Sequence, residues 1–588
     1  GGFESGATGW IINGTHETSA VEAGGFAGAS ALHIRASSRG DLAGNRISIA
    51  LNTTPASGST ATIRAKVKWL RGHPEILFRL NGGSLEATGS ILPNTVTPGT
   101  PGAANSRAQV NAAPSISSVT HRPVLPQAGQ PVTVYARIDD ADGVGLALLK
   151  YRLDPQTAVS TVVMSYRGAG LFSAEIPQQT GGTLAAFTIH AFDSAGAASS
   201  FPANAPSREC LVRWGEPATT GTLGAYRFWM TEATRSRWAS RLKNSNTPLD
   251  VTFIYGNSRV IYNAGAQYSG SPFHTPGFSG PTGAVCDYTL DMPGDDRLLG
   301  ETGFILAGPG TFGDDLSLIR EQTAWWIARR IGLQSLYRRF CRVFVNGVQR
   351  QTVFEDTQQP NGAWINEYWP NDNDGHLHKA QDWLEYGDSG EFPAQTDLRA
   401  FLSKRTTTGG VHKIAAYRYQ WSTRSVEGSA NDWADFTTLV NAFNTGSSAT
   451  DPAFFAALDP LVDQDSWARA LAIQRIAGNW DTWGYTYGKN MYIYKPQHGQ
   501  WAMTAWDIDF SFGLVGDLPN TGLFASTQDP LADKFKSQPA FRRAWWSALR
   551  DSVDGPMLGT NVNARIDAMV AGLAANGITA NAGQVSAV

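Results

Sequence analysis

Residues 479–513 read NWDTWGYTYGKNMYIYKPQHGQWAMTAWDIDFSFG, and this stretch decides how the carboxy-terminal half of the chain folds. It follows an apolar, helix-like run and opens a loop at Asp481, with Asn490 nine positions later. The runs NMYIYKP and QWAMTAW then predict a β-hairpin, because short β-type runs stand on either side of a Gly-containing turn. The second predicted strand leads directly into Asp507 and Asp509.

This order of polar residues is the one that phosphoryl transfer requires. A carboxylate must orient the acceptor hydroxyl, and oxygen ligands must hold the metal ions that bridge the nucleotide phosphates. Asp481, Asn490 and the pair Asp507 and Asp509 occur in that order. In a strand the two acids point the same way, so we expect both to face one metal pair while Ile508 faces the core. The alternative is an ordinary hairpin with solvated acids, but their apolar neighbours favour the functional interpretation.

A kinase also needs a Lys for the phosphates and a Glu that holds this Lys. The run NDNDGHLHKAQDW predicts a short strand after an Asx–Gly turn, and that strand carries Lys379. Glu321 in a predicted helix, Glu355 at a predicted strand end and Glu385 six residues after Lys379 are rival partners. The sequence does not choose among them. An exposed strand Lys without a catalytic role is the alternative for Lys379.

Two further motifs have ordinary explanations. Residues 308–313, GPGTFG, satisfy the GxGxxG pattern, but the surrounding order of elements is not the alternating βαβ series of a dinucleotide site. We therefore interpret them as a turn. His376 and His378 share a strand face but have no third metal ligand nearby, so we expect plain surface histidines.

Composition bounds the class of protein. A chain of 588 residues predicts several domains, and 42% hydrophobic with 16% charged residues is typical of folded cores. A formal net charge of -3 without a basic stripe argues against a nucleic-acid partner. No run of about eighteen apolar residues occurs, so no membrane span is predicted. Frequent Gly, Ser, Thr, Asn and Trp are associated with secreted bacterial β-proteins, and the opening GGFESGATGW suggests a processed amino terminus. We expect a secreted or cell-surface bacterial protein.

The chain divides into four predicted segments. Residues 1–105 alternate short β-type runs with turns and predict an antiparallel sandwich. Their opening GFESGATGW resembles the first strand of galactose-binding-like jelly rolls, many of which bind carbohydrate, and implies a glycan partner. Residues 106–130 are predicted as a linker, and residues 131–215 as an immunoglobulin- or fibronectin-like sandwich. Residues 224–588 show helical periodicity between strands and predict a large α+β domain of the atypical protein-kinase type.

Six helices are predicted within the last segment. The signal is helical periodicity, and in the second run below Asp314 or Asp315 can cap the amino end and Gly332 can end the helix. They occur in EATRSRWASRLKN, DDLSLIREQTAWWIARRIGL, DLRAFLSKR, DWADFTTLVNAFN, DQDSWARALAIQRIAGNW and PAFRRAWWSALRDSV.

The carboxy-terminal half resembles the CotH (spore coat protein H) kinase family, in a branch found in large secreted bacterial proteins. The resemblance runs from about Tyr226 to Val553, and its most specific motifs are GNWDTWGYTYGKNMYIYKP and WDIDFSFG. It implies a divergent kinase fold that uses ATP with Mg, Mn or Ca. It also implies phosphorylation of Ser or Thr in proteins of the cell surface or extracellular matrix.

The resemblance assigns roles to single residues. Asp481 matches the catalytic Asp, Asp507 and Asp509 the metal-binding acidic motif, Asn490 the Asn before the hairpin, and Lys379 the Lys of the LYK-like strand.

Two positions leave the function open. Trp501, on the second hairpin strand, either lies against an adenine or belongs to the core. Where the family commonly has G-x-R-x-K-G, residues 265–270 read GAQYSG and lack both basic residues. A secreted Ser/Thr kinase is therefore the first hypothesis. The alternatives are a non-catalytic surface or matrix protein that binds glycan or protein through its sandwiches, and an AMP-adding enzyme on the same fold.

Overall fold

The structure, a computed structural model of the chain, describes residues 2–37, 45–56, 59–60, 62–80, 85–89, 102, 110–241, 245, 247–269, 280–283, 286–309, 315–381, 400–418, 420–425, 429–485, 488–514 and 520–588. The amino-terminal side is rich in strands, and the carboxy-terminal side mixes helices with two sheets. Within these ranges, no helix has both the length and the apolar character that crossing a membrane requires.

The amino-terminal region forms three separate two-stranded antiparallel ribbons, β1–β4, β2–β3 and β5–β6. Its strands are β1 (Trp10–Asn13), β2 (Ala20–Ala23), β3 (Ser30–His33), β4 (Arg46–Ile49), β5 (Ile76–Leu80) and β6 (Leu85–Gly89). The run ATIRAKVKWL alternates as a strand should, yet residues 62–70 pair with no strand in the described part of the chain. The described residues of 1–105 therefore do not show the two stacked sheets of the predicted jelly roll, and they contribute nothing to the buried apolar clusters.

The second region is built from two antiparallel sheets around one apolar core. Its strands are β7 (Ser115–Arg122), β8 (Val132–Asp139), β9 (Val144–Asp154), β10 (Ser160–Val163), β11 (Ser165–Gly168), β12 (Leu171–Ile176), β13 (Leu184–Asp193), β14 (Ala198–Phe201) and β15 (Cys210–Arg213). Alternate residues of β8 are buried, as its period-two pattern predicts. β7 lies inside residues 106–130, which were predicted as a linker. Few of its side chains are fully buried, so its sequence gives a weak strand signal.

The third region is a closed ring of strands. Its strands are β16 (Gly224–Trp229), β17 (Leu249–Tyr255), β18 (Arg259–Ser269), β19 (Asp287–Asp291), β20 (Gly303–Ala307), β21 (Arg338–Val345), β22 (Val348–Gln349) and β23 (Phe354–Gln358). They are hydrogen-bonded in the order β16-β17-β18-β19-β20-β23-β21-β22, and β16 also pairs with β21 in parallel. That last pairing closes seven strands into a barrel, whose interior is filled with apolar side chains.

The barrel and the second region share a core. Trp229, Ile254 and Tyr262 belong to barrel strands, but they pack into the apolar cluster of β7 to β15. His121, at the end of β7, is fully buried and hydrogen-bonds through its ring to the Tyr262 hydroxyl. The second region is therefore packed directly on the outer surface of the barrel.

The last region combines a four-stranded antiparallel sheet, ordered β25-β24-β26-β27, with most of the helices. Its strands are β24 (His376–Ala380), β25 (Trp421–Ser425), β26 (Met491–Lys495) and β27 (Ala502–Ala505), so the predicted hairpin is present as β26 and β27. The helices of the chain are α1 (Glu232–Ser240), α2 (Arg320–Arg330), α3 (Gly362–Tyr368), α4 (Ala434–Phe443), α5 (Pro452–Leu458), α6 (Gln464–Ala477), α7 (Pro530–Ser537), α8 (Pro539–Val553), α9 (Gly559–Ala575) and α10 (Ala582–Val585).

Five of the six predicted helices are present, as α1, α2, α4, α6 and α8. The helix predicted in DLRAFLSKR is not formed by residues 400–405, which belong to no helix or strand. Ala400 and Leu402 are buried there, and the Ala400 amide donates to the Gly488 carbonyl (3.1 Å) rather than along a helix. An alternating burial pattern explains why the helical interpretation of this run was wrong.

Candidate active site

Asp481 lies in the loop that follows α6. Asp463 caps the start of this helix by accepting the Ser466 amide, and Gly478 ends it with a φ of 73°, which favours glycine. Asp481 is buried. The Asn490 side-chain amide donates to the Asp481 backbone oxygen (2.9 Å) and to its Oδ2 (3.3 Å). The predicted catalytic acid and the predicted amide ligand are therefore in direct contact.

Asn479 ties this loop to the acidic segment after β27. Its Nδ2 donates to the Gln474 side-chain oxygen (2.7 Å) and to the Asp507 backbone oxygen (3.2 Å). Its Oδ1 accepts the Asp481 amide (3.4 Å). Sequence reasoning gave this residue no role. The available signal was a polar residue between an apolar helix end and a candidate catalytic acid.

The two acids of WDIDF do not lie in a strand. β27 ends at Ala505, and Asp507 has a φ of 56°, in the left-handed region that Asp tolerates better than most residues. The prediction that Asp507 and Asp509 point the same way because they lie in one strand is therefore wrong. Ile508 between them is fully buried, as expected, while Asp507 is exposed and Asp509 half-buried. Left-handed residues at a polar site are typical of functional loops.

Asp509 sits among like charges. Burial raises the pKa of its carboxyl well above the ordinary value, and the neighbouring charges of Asp507, Glu321 and Asp481 raise the pKa further. Carboxylates that repel one another in this way are stabilised by a cation placed between them. Asp481, Asp507, Asp509 and Glu321 are therefore close enough to interact electrostatically.

Glu321, on α2, holds the acidic segment in place. Its Oε1 accepts the backbone amide of Ile508 (3.2 Å) and the Trp325 indole N–H (3.3 Å). Its Oε2 pairs with the Arg338 guanidinium. Burial raises the pKa of Glu321; Arg338 opposes that rise and Asp507 adds to it. Through the Ile508 amide, α2 is connected to the segment that carries both metal-ligand candidates.

Neither Glu321 nor Glu355 pairs with Lys379. Both contact Arg338 instead, with 2.8 Å between Arg338 Nη1 and Glu355 Oε2. Burial, opposed by Arg338 and reinforced by Glu321, raises the pKa of Glu355 to about 8. Among the described residues, no carboxylate lies within 4.0 Å of the Lys379 amine. Glu385 lies outside the described residues. The assignment of Glu321 and Glu355 as partners of this Lys is therefore wrong.

Lys379 lies on β24, as predicted, between two strands of the four-stranded sheet. It pairs in register with Ser422 of β25 and Tyr492 of β26. Its half-buried amine is 5.5 Å from the ring centre of Trp506 and 5.9 Å from that of Tyr492. These aromatic faces stabilise a cation at this point. The strand Lys is thus not a fully exposed surface residue.

Two further cations surround Lys379. Burial, reinforced by the charges of Arg424 and Lys489 and opposed by Asp507, lowers the pKa of the Lys379 amine to about 7. Lys489 Nζ lies 3.0 Å from Asp481 Oδ2. Lys489 and Arg424 had no assigned role from sequence. For Lys489, adjacency to Asn490 in the GKN run was a usable signal.

Trp501 and the two histidines differ from expectation. Trp501 is fully buried, its backbone oxygen accepts the Trp467 indole N–H (2.7 Å), and its ring lies 5.9 Å from that of His378. It presents no face to an adenine, so the core alternative is correct. His378 is buried, with its pKa lowered to about 4 by that burial, and is not a surface residue. His376 is half-buried, 3.6 Å from Asp435.

The segment GAQYSG lies away from these residues. Gln267 and Ser269 are on β18, and within the described ranges no hydrogen bond or ion pair joins either of them to the acids or cations above. Residue 270 and most of the GPGTFG run, residues 310–314, lie outside the described part of the chain.

The donor set fits a hard divalent cation shared with a phosphate chain. Asn490, Asp507 and Asp509 offer oxygen ligands, which Mg²⁺, Mn²⁺ and Ca²⁺ prefer. No group of three His, Cys, Asp or Glu side chains among the described residues forms a metal cage. Mg²⁺ usually takes one or two carboxylates and completes its shell with water and substrate phosphates. The cations Lys379, Arg424 and Lys489 complement phosphate charge beside it.

Comparison with known proteins identifies the family. The model of the CotH kinase protein family matches residues 288–585, half of the chain, and the chain belongs to this family. Membership in a kinase family implies the use of ATP and a protein substrate. No curated protein matches the chain.

One solved structure is similar only in a minor part. It is a cycloalternan-forming enzyme from Listeria monocytogenes in complex with a pentasaccharide substrate, with 10% sequence identity and a TM-score of 0.13. The similarity covers 33% of this chain and 15% of that enzyme, so the chain spans well under two thirds of its length. A similarity this weak carries no argument about function.

Proposed function

We propose that the protein is an active protein kinase that transfers the γ-phosphoryl group of ATP to Ser or Thr hydroxyls of secreted or cell-surface proteins. The observation that carries this proposal is the meeting of acids and cations around Asp481. Asn490 contacts it through its side-chain amide, Asn479 links it to Asp507, and Lys489 pairs with it. A kinase site needs both kinds of charge in one place.

In the proposed reaction Asp481 orients the acceptor hydroxyl and takes its proton as the oxygen attacks the γ-phosphorus. The bond between that phosphorus and the β,γ-bridging oxygen breaks, and ADP leaves with the bonding electrons. Asn490, Asp507 and Asp509 would hold a divalent metal, which would neutralise charge on the phosphates. A cation bound here would lower the repulsion between Asp509 and its neighbouring carboxylates, and this is the local reason for the site to bind one.

On the opposite side, Lys379 binds phosphate oxygens, with Lys489 and Arg424 beside it. These charges take the place of the two basic residues that GAQYSG lacks. The absence of those two residues is therefore weak support for a dead kinase. The non-catalytic alternative is not favoured, because acids and cations of the kinds that a kinase uses meet around Asp481, even though no described carboxylate pairs with Lys379.

The proposed extracellular location of the protein and the proposed recognition of its substrate rest on observations outside the catalytic site. The composition of the chain suits an extracellular protein. The nine-stranded region, β7 to β15, is fixed to the barrel and offers a rigid support beside the catalytic region. We assign no glycan to the amino-terminal ribbons.

The test uses the full chain, purified ATP and Mg²⁺ or Mn²⁺. We expect ATP with metal to raise the melting temperature of the wild type but not of Asp507→Ala, and mass spectrometry to find phosphate on Ser or Thr of the protein or of an added acceptor. No shift with any nucleotide across Mg²⁺, Mn²⁺ and Ca²⁺ contradicts the proposal. An adduct of AMP mass in place of phosphate shows nucleotidyl transfer instead.

A further inference from the structure

The amino-terminal ribbon β5–β6 contacts the catalytic region, although more than 300 residues separate them in sequence. Glu86, on β6, pairs with Arg418, with 3.0 Å between its Oε2 and Arg418 Nε and 2.9 Å between its Oε1 and Arg418 Nη2. The Arg418 side chain is only 2% exposed and that of Glu86 only 9%. This is a buried, two-point guanidinium–carboxylate contact rather than a loose surface pair.

Two neighbouring contacts extend the same surface. Glu75 accepts hydrogen bonds from Ser429 Oγ (2.6 Å) and Asn431 Nδ2 (2.8 Å). Arg79 donates to the Ala415 carbonyl (3.1 Å). Each end of the ribbon is therefore fixed by polar groups. The surface that receives the ribbon, formed by Ala415, Arg418, Ser429 and Asn431, donates hydrogen bonds mainly to carboxylates.

This receiving surface lies behind the proposed phosphate-binding strand. The Arg418 guanidinium lies 5.4 Å from the ring centre of Trp433, and that ring lies 5.1 Å from the His378 ring. His378 immediately precedes Lys379 on β24. β25, which begins three residues after Arg418, pairs with β24 along Lys379. A chain of packed contacts thus runs from Glu86 to the strand that carries Lys379.

We propose that the β5–β6 ribbon is a docked arm of the catalytic region, fixed in cis by Glu86 and Glu75, which holds β24 and β25 in position. The ribbon is too small to be stable as an isolated hairpin in water. Its contacts with Ala415, Arg418, Ser429 and Asn431 supply the tertiary support it needs. The partner of the Arg418 surface is thus this chain's own acidic ribbon and not a separate ligand.

Hydrogen exchange of the full-length protein, without nucleotide, tests the arm independently of any kinase activity. Glu86→Gln keeps the size of the side chain but removes its charge. We expect exchange of β24 and β25 amides to speed up by about tenfold or more, because opening of a packed unit controls exchange there. Glu22→Gln is the matched control. Glu22 pairs with Arg35 and His33 on the β2–β3 ribbon and is 44% exposed, so it should change nothing at β24 or β25.

Unchanged exchange at β24 and β25 in Glu86→Gln overturns the proposal, and so does an equal change in Glu22→Gln. If Glu86→Gln does not fold, Glu75→Gln replaces it, because Glu75 holds Ser429 and Asn431 at the edge of the same surface, beside its contact with His73. Faster exchange confined to β24, β25 and residues 414–418 in Glu75→Gln supports the arm, and unchanged exchange there overturns it. A kinase assay that fails while exchange responds as expected counts against the proposed function alone.

Discussion

At the scale of single residues, a small change at Asp481 can separate phosphoryl transfer from nucleotide binding. Asp481→Asn retains an acceptor for the Asn490 amide but removes the charge that takes a proton. We expect phosphoryl transfer to fall by about 10²–10⁴-fold, the usual contribution of a general base, with nucleotide affinity nearly unchanged. Single-turnover kinetics and equilibrium binding measure the two quantities.

The control for Asp481→Asn is Asp465→Asn. Asp465 stands in the first turn of α6, 62% exposed, and pairs with Arg469 at the surface. Asp465→Asn should leave both phosphoryl transfer and nucleotide binding unchanged. Equal transfer rates for Asp481→Asn and the wild type would remove Asp481 from the reaction.

The amine of Lys379 predicts a pH dependence of binding. Its pKa is lowered from 10.5 to about 7, so it loses its proton as pH rises through 7. Metal-free nucleotide affinity should therefore weaken above pH 7, by up to about tenfold per pH unit until binding no longer depends on this proton. Lys379→Arg should flatten the profile, because a guanidinium stays charged. Calorimetry between pH 6 and 9 checks this; parallel profiles for the two proteins contradict it.

The same pKa has a consequence for folding. Between about pH 7 and 10.5 the unfolded chain binds the Lys379 proton and the folded chain does not. The contribution of this group to the free energy of unfolding therefore rises with pH across that window, and the cost of burying its charge is present in full below pH 7.

At the scale of elements, α2 acts on the acidic segment through Glu321. Glu321→Ala removes the acceptor for the Ile508 amide, whereas Glu321→Gln keeps one. We expect the metal concentration for half-maximal activity to rise by about 10- to 100-fold in Glu321→Ala, as for other residues that orient metal ligands, and by less in Glu321→Gln. Metal titrations of activity and of melting temperature measure this effect. Identical metal dependence in Glu321→Ala and the wild type contradicts the role.

Some elements were predictable because local signals agree with tertiary burial. The α6 run has a capping Asp before it and a Gly after it, and the β26–β27 hairpin has a turn between two β-type runs. The helix predicted in the run DLRAFLSKR is absent from residues 400–405, because burial of Ala400 and Leu402 in a non-helical segment overrides the helical composition of the run. The ion pairs of Glu321 and Glu355 with Arg338 join elements distant in sequence, so no local pattern showed them.

At the scale of the whole molecule, His121 makes the junction between the nine-stranded region and the barrel sensitive to acid. Its Nε2–H donates to the Val124 carbonyl (3.0 Å), so its Nδ1 accepts the Tyr262 hydroxyl proton and the ring is neutral. Burial lowers its pKa to about 4. Below about pH 6.5 the unfolded chain takes up this proton first, so stability falls as pH drops from 6.5 towards 4, by up to about 3 kcal/mol.

His121→Asn should reduce that loss of stability between pH 7.5 and 5. His378, with a similarly lowered pKa, remains in both proteins, so the difference between them isolates His121. Chemical denaturation at the two pH values measures it. An equal loss of stability in both proteins contradicts the role of His121 at this junction.

The overall division of the chain could be predicted only in part. The period-two pattern of β8 indicated the second region, and helical periodicity indicated the α+β region. The barrel could not be predicted, because its closure depends on a parallel pairing between β16 and β21, over 100 residues apart. The amino-terminal run ATIRAKVKWL shows the reverse case, a clear strand pattern without a partner strand among the described residues.

The closure of the barrel also sets where this protein can be cut. The family match begins at residue 288, inside β19, but β16, β17 and β18 lie before it and complete the ring. A fragment starting at 288 would leave β19 without β18 and β21 without β16, and both strands would present open edges on which chains aggregate. A fragment that keeps the barrel closed therefore begins at or before Gly224, upstream of the boundary that the family match alone draws.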